Sequence, residues 1–397
     1  MISIGNKCCG CNACCAICPQ KCITMQEDEE GFRYPIVNKD KCIDCGLCEK
    51  ACPILNKKEG FRPIHSYVLR DKREEVVLNS ASGGFITPIS EYFISQGGSA
   101  VGAAFGPDFA IKHYIVETDE DIKVIRGSKY VQSDMDAVFG KVKNRLIEGK
   151  LVLFSGTPCQ IAGLYGFLMK DYDNLYTVSV VCKGVASPKL WREYLKFQEK
   201  KERKRILSVD FRKKTLGYHS SNMELTFSDG NKRRYSKTDY FLKAYVGSVC
   251  MRPSCYECHF KGINRLTDFT IFDAWNVTKV SILDKDDDKG YTNLFIHTKK
   301  GIDLFEKIKM SYSCYESLTE EAVDCDGIMI SEPTKFVEKR KKFYTILTES
   351  GISKAVDYAV PVTAKDKIIE ATKPILHRMG LLKLFKNLYK VRRKNNV

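Results

Sequence analysis

The 397-residue chain has no run approaching the ~18 apolar residues that span a bilayer as a helix. Its start, Met1-Ile2-Ser3-Ile4-Gly5, leads straight into cysteines and does not resemble an apolar secretion signal. A secreted disulfide framework is therefore not expected, and a reducing cytoplasm is the expected compartment. Histidine is scarce: six scattered residues offer no proton relay. No Ser-His-Asp or paired-carboxylate arrangement can be read, so no catalytic residue is assigned. The lysines form no recognisable nucleic-acid-binding motif, which leaves nucleic acid outside the expected partners.

Cysteine is abundant, with eighteen in all. Cys8, Cys11, Cys14 and Cys18 followed by Pro19 spell C-x2-C-x2-C-x3-C-P, and Cys42, Cys45, Cys48 and Cys52 followed by Pro53 spell it again. The runs are offset by a constant step (42 − 8 = 34; 52 − 18 = 34), an internal repeat that specifies two 4Fe-4S clusters with crossed fourth ligands. Cys8, Cys11, Cys14 and Cys52 form one expected set, and Cys42, Cys45, Cys48 and Cys18 the other. A zinc site would use two spaced pairs, which these runs do not provide. Cys9, Cys15 and Cys22 match no ligand slot and read as packing thiols.

The length calls for more than a ferredoxin, and 44% hydrophobic with 11% aromatic residues suffices for an ordinary packed core. The formal charge of +15 counts thiols as neutral; three clusters at about −2 each would leave roughly +9. That surplus can steer acidic electron carriers, anionic substrates or a phospholipid surface.

The expected fold is α+β: a bacterial-type two-cluster ferredoxin domain over 1–60, a mixed α/β body over 64–345 split near 150, and a basic helical tail over 346–397. Ile23–Met25 and Phe32–Val37 read as short strands, and Lys57–Pro63 as a linker. Tyr67–Arg70 and Ala100–Phe105 read as strands around an amphipathic run that follows Ser82-Gly83-Gly84. Leu151–Phe154, a turn at 156–160, a helix over Ile161–Met169 and a strand over Tyr176–Val181 make a βαβ unit. Its right-handed crossover places Cys159 and Cys182 at one carboxyl edge, where cofactors bind. With the C-x2-C pair Cys255 and Cys258 they form the expected third 4Fe-4S site. Cys250 is the alternative ligand to Cys159, and Cys314 and Cys325 read as structural.

These strings together resemble the beta subunits of coenzyme F420 (deazaflavin) hydrogenases and dehydrogenases, in the bacterial form with a fused N-terminal ferredoxin. The resemblance covers roughly 1–310. It rests on Gly31–Pro35, Ser82–Gly84, Gly127–Ser133, Gly156–Gln160, Cys182 with Ser187-Pro188, Arg252–Cys258, and Arg265, Asp268, Thr270, Asp273 and Trp275. It implies FAD beside a 4Fe-4S cluster, with Ser82, Gly83, Gly84, Ser128, Lys129, Tyr130, Val131 and Gln132 at the flavin-contacting positions, and a deazaflavin coenzyme as an acceptor. Asp273 is an acid near the flavin or a structural carboxylate. Lys183 stands where the family has His, and Phe272 and Asn276 where it has glycines, so the substrate pocket is expected to differ. Relatives of this form resemble accessories of surface-polysaccharide gene sets.

The implied activity is an iron-sulfur flavin-dependent oxidoreductase, which takes electrons from a ferredoxin-like carrier and passes them to a small organic acceptor. The alternative is an electron-relay subunit of a hydrogenase-like complex. From Lys365 to Val397 ten Lys or Arg face Asp366 and Glu370. Gly380 divides this tail, and Leu381, Leu384, Phe385, Leu388 and Val391 form a stripe opposite Lys383, Lys386, Lys390 and Arg393. That second helix either docks on protein or lies on an anionic membrane surface.

Overall fold

A computed structural model describes residues 2–135 and 137–382. The second tail helix, with its Leu384–Val391 stripe, lies outside the described residues.

The N-terminal module is built from β1 (Ile23–Glu27) and β2 (Arg33–Val37), paired antiparallel, and the short helices Ala13–Ile17 and Leu47–Lys50. Its small core is Ile2, Ile23 and thiols, Cys14, Cys22 and Cys52 among them. So few apolar residues cannot hold about sixty residues together by burial alone. Cluster ligation must supply the rest.

The body contributes β3 (His65–Asp71), β4 (Ser99–Phe105), β5 (Ile111–Val116), β6 (Val152–Gly156), β7 (Leu175–Val180), β8 (Ile206–Lys213), β9 (Asn222–Phe227), β10 (Lys232–Tyr235), β11 (Phe269–Asp273), β12 (Thr292–Ile296) and β13 (Tyr312–Glu316). Eight of these form one mixed sheet in the order β13-β3-β12-β11-β7-β6-β4-β5, while β10-β9-β8 form a separate antiparallel sheet. The large sheet draws strands from both sides of residue 150.

The βαβ unit is present: β6 and β7 pair in parallel around a helix over Pro158–Leu168. This helix starts three residues earlier than the sequence pattern indicated, because Thr157 and Gln160 close a capping box and Pro158 occupies the first turn. Helices Ile86–Ser95 and Lys299–Ile308 cover one face of the large sheet, and Val138–Ile147 with Pro158–Leu168 cover the other. A third core joins Pro188–Glu202, the small sheet and Arg340–Ala359.

Module and body meet along a close seam. Gly163 and Gly166, one turn apart on the Pro158–Leu168 helix, face Cys11 and Ala51; a Cβ at Gly166 would lie 2.2 Å from the Ala51 carbonyl oxygen. Arg252, fully buried, donates to Cys8 O at 2.7 Å, Gln132 Oε1 at 3.0 Å and Arg33 O at 3.0 Å, and its guanidinium sits 4.2 Å from the Tyr34 ring centre. Arg340 pairs with Glu30, Arg192 with Glu27 and Arg33 with Asp134. The linker is stitched down as well. Phe61 and Arg265 exchange backbone hydrogen bonds, and the His297 ring contacts Phe61 O at 2.7 Å.

Helix Ala364–Arg378 of the tail docks on the body. Glu370 accepts from the backbone amides of Ser236, Lys237 and Thr238, and Asp366 pairs with Lys243. No helix among the described residues is long and apolar enough to cross a membrane.

Candidate functional site

In the module, Cys8, Cys11, Cys14 and Cys52 line one small cavity, together with Ile2, Ile4 and Ile54. Cys18, Cys42, Cys45 and Cys48 line another. The fourth thiol of each run has crossed to the other run's cavity. Asn12 and Gly46, each with φ near +70°, turn the chain between ligands so that successive thiols face inward. Cys22 Sγ lies 3.4 Å from Cys18 Sγ and also lines the second cavity, whereas Cys15 Sγ donates to Ile23 O and lines neither cavity. Cys45 is exposed, which opens the second cavity to solvent.

A third thiol cavity lies at the carboxyl edge of the large sheet. Cys159 stands in the first turn of its helix, Cys182 follows β7, and Cys255 and Cys258 flank the end of the short helix Pro253–Tyr256; all four line it. Burial raises the Cys182 thiol, with Cys255, Cys159 and Cys258 adding to the shift, so the four thiols sit within electrostatic reach of one another. Burial likewise pushes Cys255 up to about 12. Cys250 is fully buried in the third core and does not line the cavity, so geometry brings Cys159 here and leaves Cys250 aside. Cys314 and Cys325 pack in separate apolar clusters.

These thiols suit a cluster better than one ion. Among the described residues no three His, Cys, Asp or Glu side chains converge tightly enough to hold a single metal. A cluster interposes iron and sulfide between its ligands, so thiols spread around a cavity are the fitting arrangement.

One residue was missed in the sequence. Cys9, read as a packing thiol, lines both the first and the third cavity, and its thiol lies close enough to Cys11 and Cys159 for each to influence its protonation. The module and the body thus meet thiol to thiol. No spacing rule marks Cys9, because its partner is 150 residues away.

The flavin-contacting positions divide. Ser82 Oγ and the Gly83 amide meet Thr292 Oγ1 at 2.7 and 2.8 Å, and a Cβ on Gly83 would lie 2.4 Å from Leu69 O, so only glycine fits there. Ser82 O accepts from Lys214 Nζ, whose amine burial pulls down to about 7. Beside Lys214, Arg212 pairs with both oxygens of Asp273 at 2.8 Å and leaves Nη2 buried and without a partner. Tyr130 stacks on Tyr245 at 4.5 Å, and burial raises its hydroxyl against the opposing pull of the nearby Arg212 charge. Lys129 donates to the carbonyls of Val124, Arg126 and Gly127, and burial pulls it down to about 7.

Ser82 is thus tied to Lys214, and Lys214 and Tyr130 both lie within electrostatic reach of Arg212. Val131 and Gln132 instead line a cavity of about 560 Å³ beside Gly10 and Arg33 at the seam. Asp273 is held by Arg212 and by the Tyr218 hydroxyl at 2.9 Å, and Tyr218 stacks on Trp275 at 4.4 Å. Its carboxylate is a structural anchor for the guanidinium. Arg212, Lys214 and Tyr218 carried no local signal in the sequence.

Residues 149–321 match the family described as the C-terminal part of the coenzyme F420 hydrogenase/dehydrogenase beta subunit, and residues 7–55 match the 4Fe-4S dicluster domain. An uncharacterized protein of Methanocaldococcus jannaschii is 24% identical over 372 residues, covering 85% of this chain and 94% of its own length. NADH-quinone oxidoreductase subunit I 2 of Geobacter metallireducens is 42% identical over 78 residues, 18% of this chain and 56% of that protein. A chain of the F420-reducing NiFe hydrogenase complex from Methanosarcina barkeri aligns with a TM-score of 0.46 at 20% identity, over 64% of this chain and 82% of that one. The protein is an iron-sulfur electron-transfer protein. Its body is similar to the C-terminal part of that beta subunit family over residues 149–321, behind a 4Fe-4S dicluster domain over residues 7–55.

Proposed function

We propose that this chain is a cytoplasmic, flavin-dependent oxidoreductase that accepts electrons from a ferredoxin-like carrier at its N-terminal module and delivers them to a small organic acceptor, a deazaflavin coenzyme being one of the kind. The observation that carries this reading is the third cavity: Cys159, Cys182, Cys255 and Cys258, from three separate segments of the body, face one space that Cys9 of the module also lines.

The residues fit a 4Fe-4S cluster in each thiol cavity, and the buried, unpartnered Arg212 Nη2 supports FAD in its neighbourhood. Bound there, these groups would supply one-electron steps and their conversion to a two-electron reduction. The protein's part is placement and charge. Arg252 fixes the Cys8 carbonyl against Gln132 and so sets the distance between the first and third cavities. Lys261, donating to Cys182 O at 2.8 Å, brings a positive charge beside thiolates that would otherwise repel one another. The unpartnered Nη2 of Arg212, with Lys214 next to it, offers buried positive charge to an anionic flavin or its pyrophosphate. Gly83 lets that backbone approach the sheet where any side chain would collide.

The relay-subunit alternative has one observation in its favour. In the Arg212 crevice, Asp273 and Lys129 are both engaged by protein partners, so neither stands free as a proton donor.

Anaerobic purification with iron, sulfide and flavin analysis tests the proposal. About twelve irons and one FAD per chain are expected; zinc without flavin would overturn it. Reduction of bound flavin by dithionite-reduced ferredoxin, with this chain alone, separates a self-contained enzyme from a relay that needs its partner.

A further inference from the structure

Behind the third thiol cavity lies a second space. A cleft of about 900 Å³ opens between the end of the module and the body, and it shares Pro158, His259, Phe260, Lys261 and Arg265 with the wall of the thiol cavity. Its charged lining is Lys50, Lys57, Lys58, Lys261 and Arg265 against Glu59. Lys50, Lys57 and Lys58 are exposed at the rim while Lys261 and Arg265 lie further in, so the cleft carries a surplus of positive charge that favours an anion.

The cleft floor carries two buried polar groups without a protein partner. Ser179, on β7, is 1% exposed and its hydroxyl has no hydrogen bond. Arg265, 4% exposed, donates from its terminal nitrogens to Phe260 O and Ile330 O, yet its Nε is unpaired. A buried polar atom left unpaired loses its hydration without replacement, so two on one cavity wall point to a ligand that completes them. The walls are fixed: Phe61 and Arg265 are bonded backbone to backbone, and a Cβ at Gly60 would lie 2.4 Å from the Arg265 carbonyl carbon.

We propose that this cleft binds a polyanionic organic molecule of about nucleotide size, with phosphate or carboxylate groups held by Lys57, Lys58 and Arg265 and a polar group meeting Ser179. The volume matches small-molecule sites, and buried donors on the floor of a narrow concavity are out of reach of a docked protein surface.

A consequence follows that rests on the third-cluster reading. A bound anion beside that cavity disfavours the added negative charge of a reduced cluster, and by reciprocity reduction weakens anion binding. Occupancy and redox state are then coupled.

Calorimetric titration of the anaerobically purified full-length holoprotein with ADP, citrate and adenosine tests this. At least one of the two anions should bind and adenosine should not; ADP without citrate assigns phosphate recognition, and the reverse assigns carboxylate. Lys57→Glu with Lys58→Glu should weaken binding at least tenfold, and Ser179→Ala several-fold, with iron content unchanged in both. No binding of either anion at millimolar concentration, or unchanged affinity in the double variant, overturns the site. So does loss of binding to an acidic ferredoxin in the double variant when neither anion binds, since that makes the face a protein dock. Dithionite reduction should lower the affinity of the wild-type protein several-fold; equal affinity in both redox states, with the double variant still defective, removes the third cluster from beside the cleft and leaves the anion site standing.

Discussion

The molecule solves one problem, holding four thiols around a cavity, in two opposite ways. In the module the ligands lie within forty-five residues, on turns and single-turn helices, with almost no apolar core beneath them. In the body they come from a helix start, a strand end and a distant loop, each placed by an eight-stranded sheet that is buried on both faces. The first site is encoded by spacing and depends on its metal for structure. The second is encoded by topology and depends on the fold for its geometry.

Removing iron should break the comparison most visibly. Chelation under anaerobic, reducing conditions is expected to unfold residues 1–60 while the body sheet stays folded, seen as amide exchange rising across the module alone. Equal exchange in both regions would mean that the body also depends on its metal. Next in size is Cys258→Ser, which should lower iron from about twelve per chain to about eight and leave the module's two clusters spectroscopically unchanged; unchanged iron would show that the ligand set is wrong.

The seam can be loosened without touching a thiol. Arg252→Met removes the donor shared by Cys8 O, Gln132 and Arg33 O, and should cost about 3 kcal/mol in urea unfolding, with faster exchange at the seam. Acid should act on the body through its buried histidines, a term the module lacks because it contains none. Burial pulls His113 and His297 down to about 4. Between the ordinary imidazole value near 6.5 and that point the unfolded chain takes up protons the fold refuses, so stability is full above pH 6.5 and falls as pH drops toward 4. His113→Gln should flatten that slope in pH-dependent melting. The smallest change is Cys9→Ala, expected to keep all the iron but shift the potential of the third site by tens of millivolts, since Cys9 lines the same cavity as Cys159 and polar groups near ligand sulfur tune the potential. Cys9→Ser should restore part of the shift; an identical potential in all three proteins would make Cys9 a packing residue after all.

Much of this was legible in the sequence for a physical reason. The 34-residue repeat constrains every ligand locally, so the crossed sets could be written before any fold was known. The βαβ unit was readable because β6 is a short apolar run and Thr157-Pro158 announces a helix start. The cavity role of Cys9, and Arg212 and Tyr218, were not readable, while Arg252 and Asp273 were marked by the family resemblance without their partners. Each owes its role to contacts across 55 to 244 residues, and nothing in the neighbouring sequence records a partner that far away.

The stitched linker has a further meaning for rate. Because Phe61 is hydrogen-bonded to Arg265 and His297, the ferredoxin module cannot swing out to collect an electron and swing back. On the proposed electron path, exchange between module and body would be a fixed-distance tunnelling event, indifferent to solvent viscosity and to protein concentration. Only the proposed encounter with an external carrier, at the open side near Cys45, would keep the character of a collision.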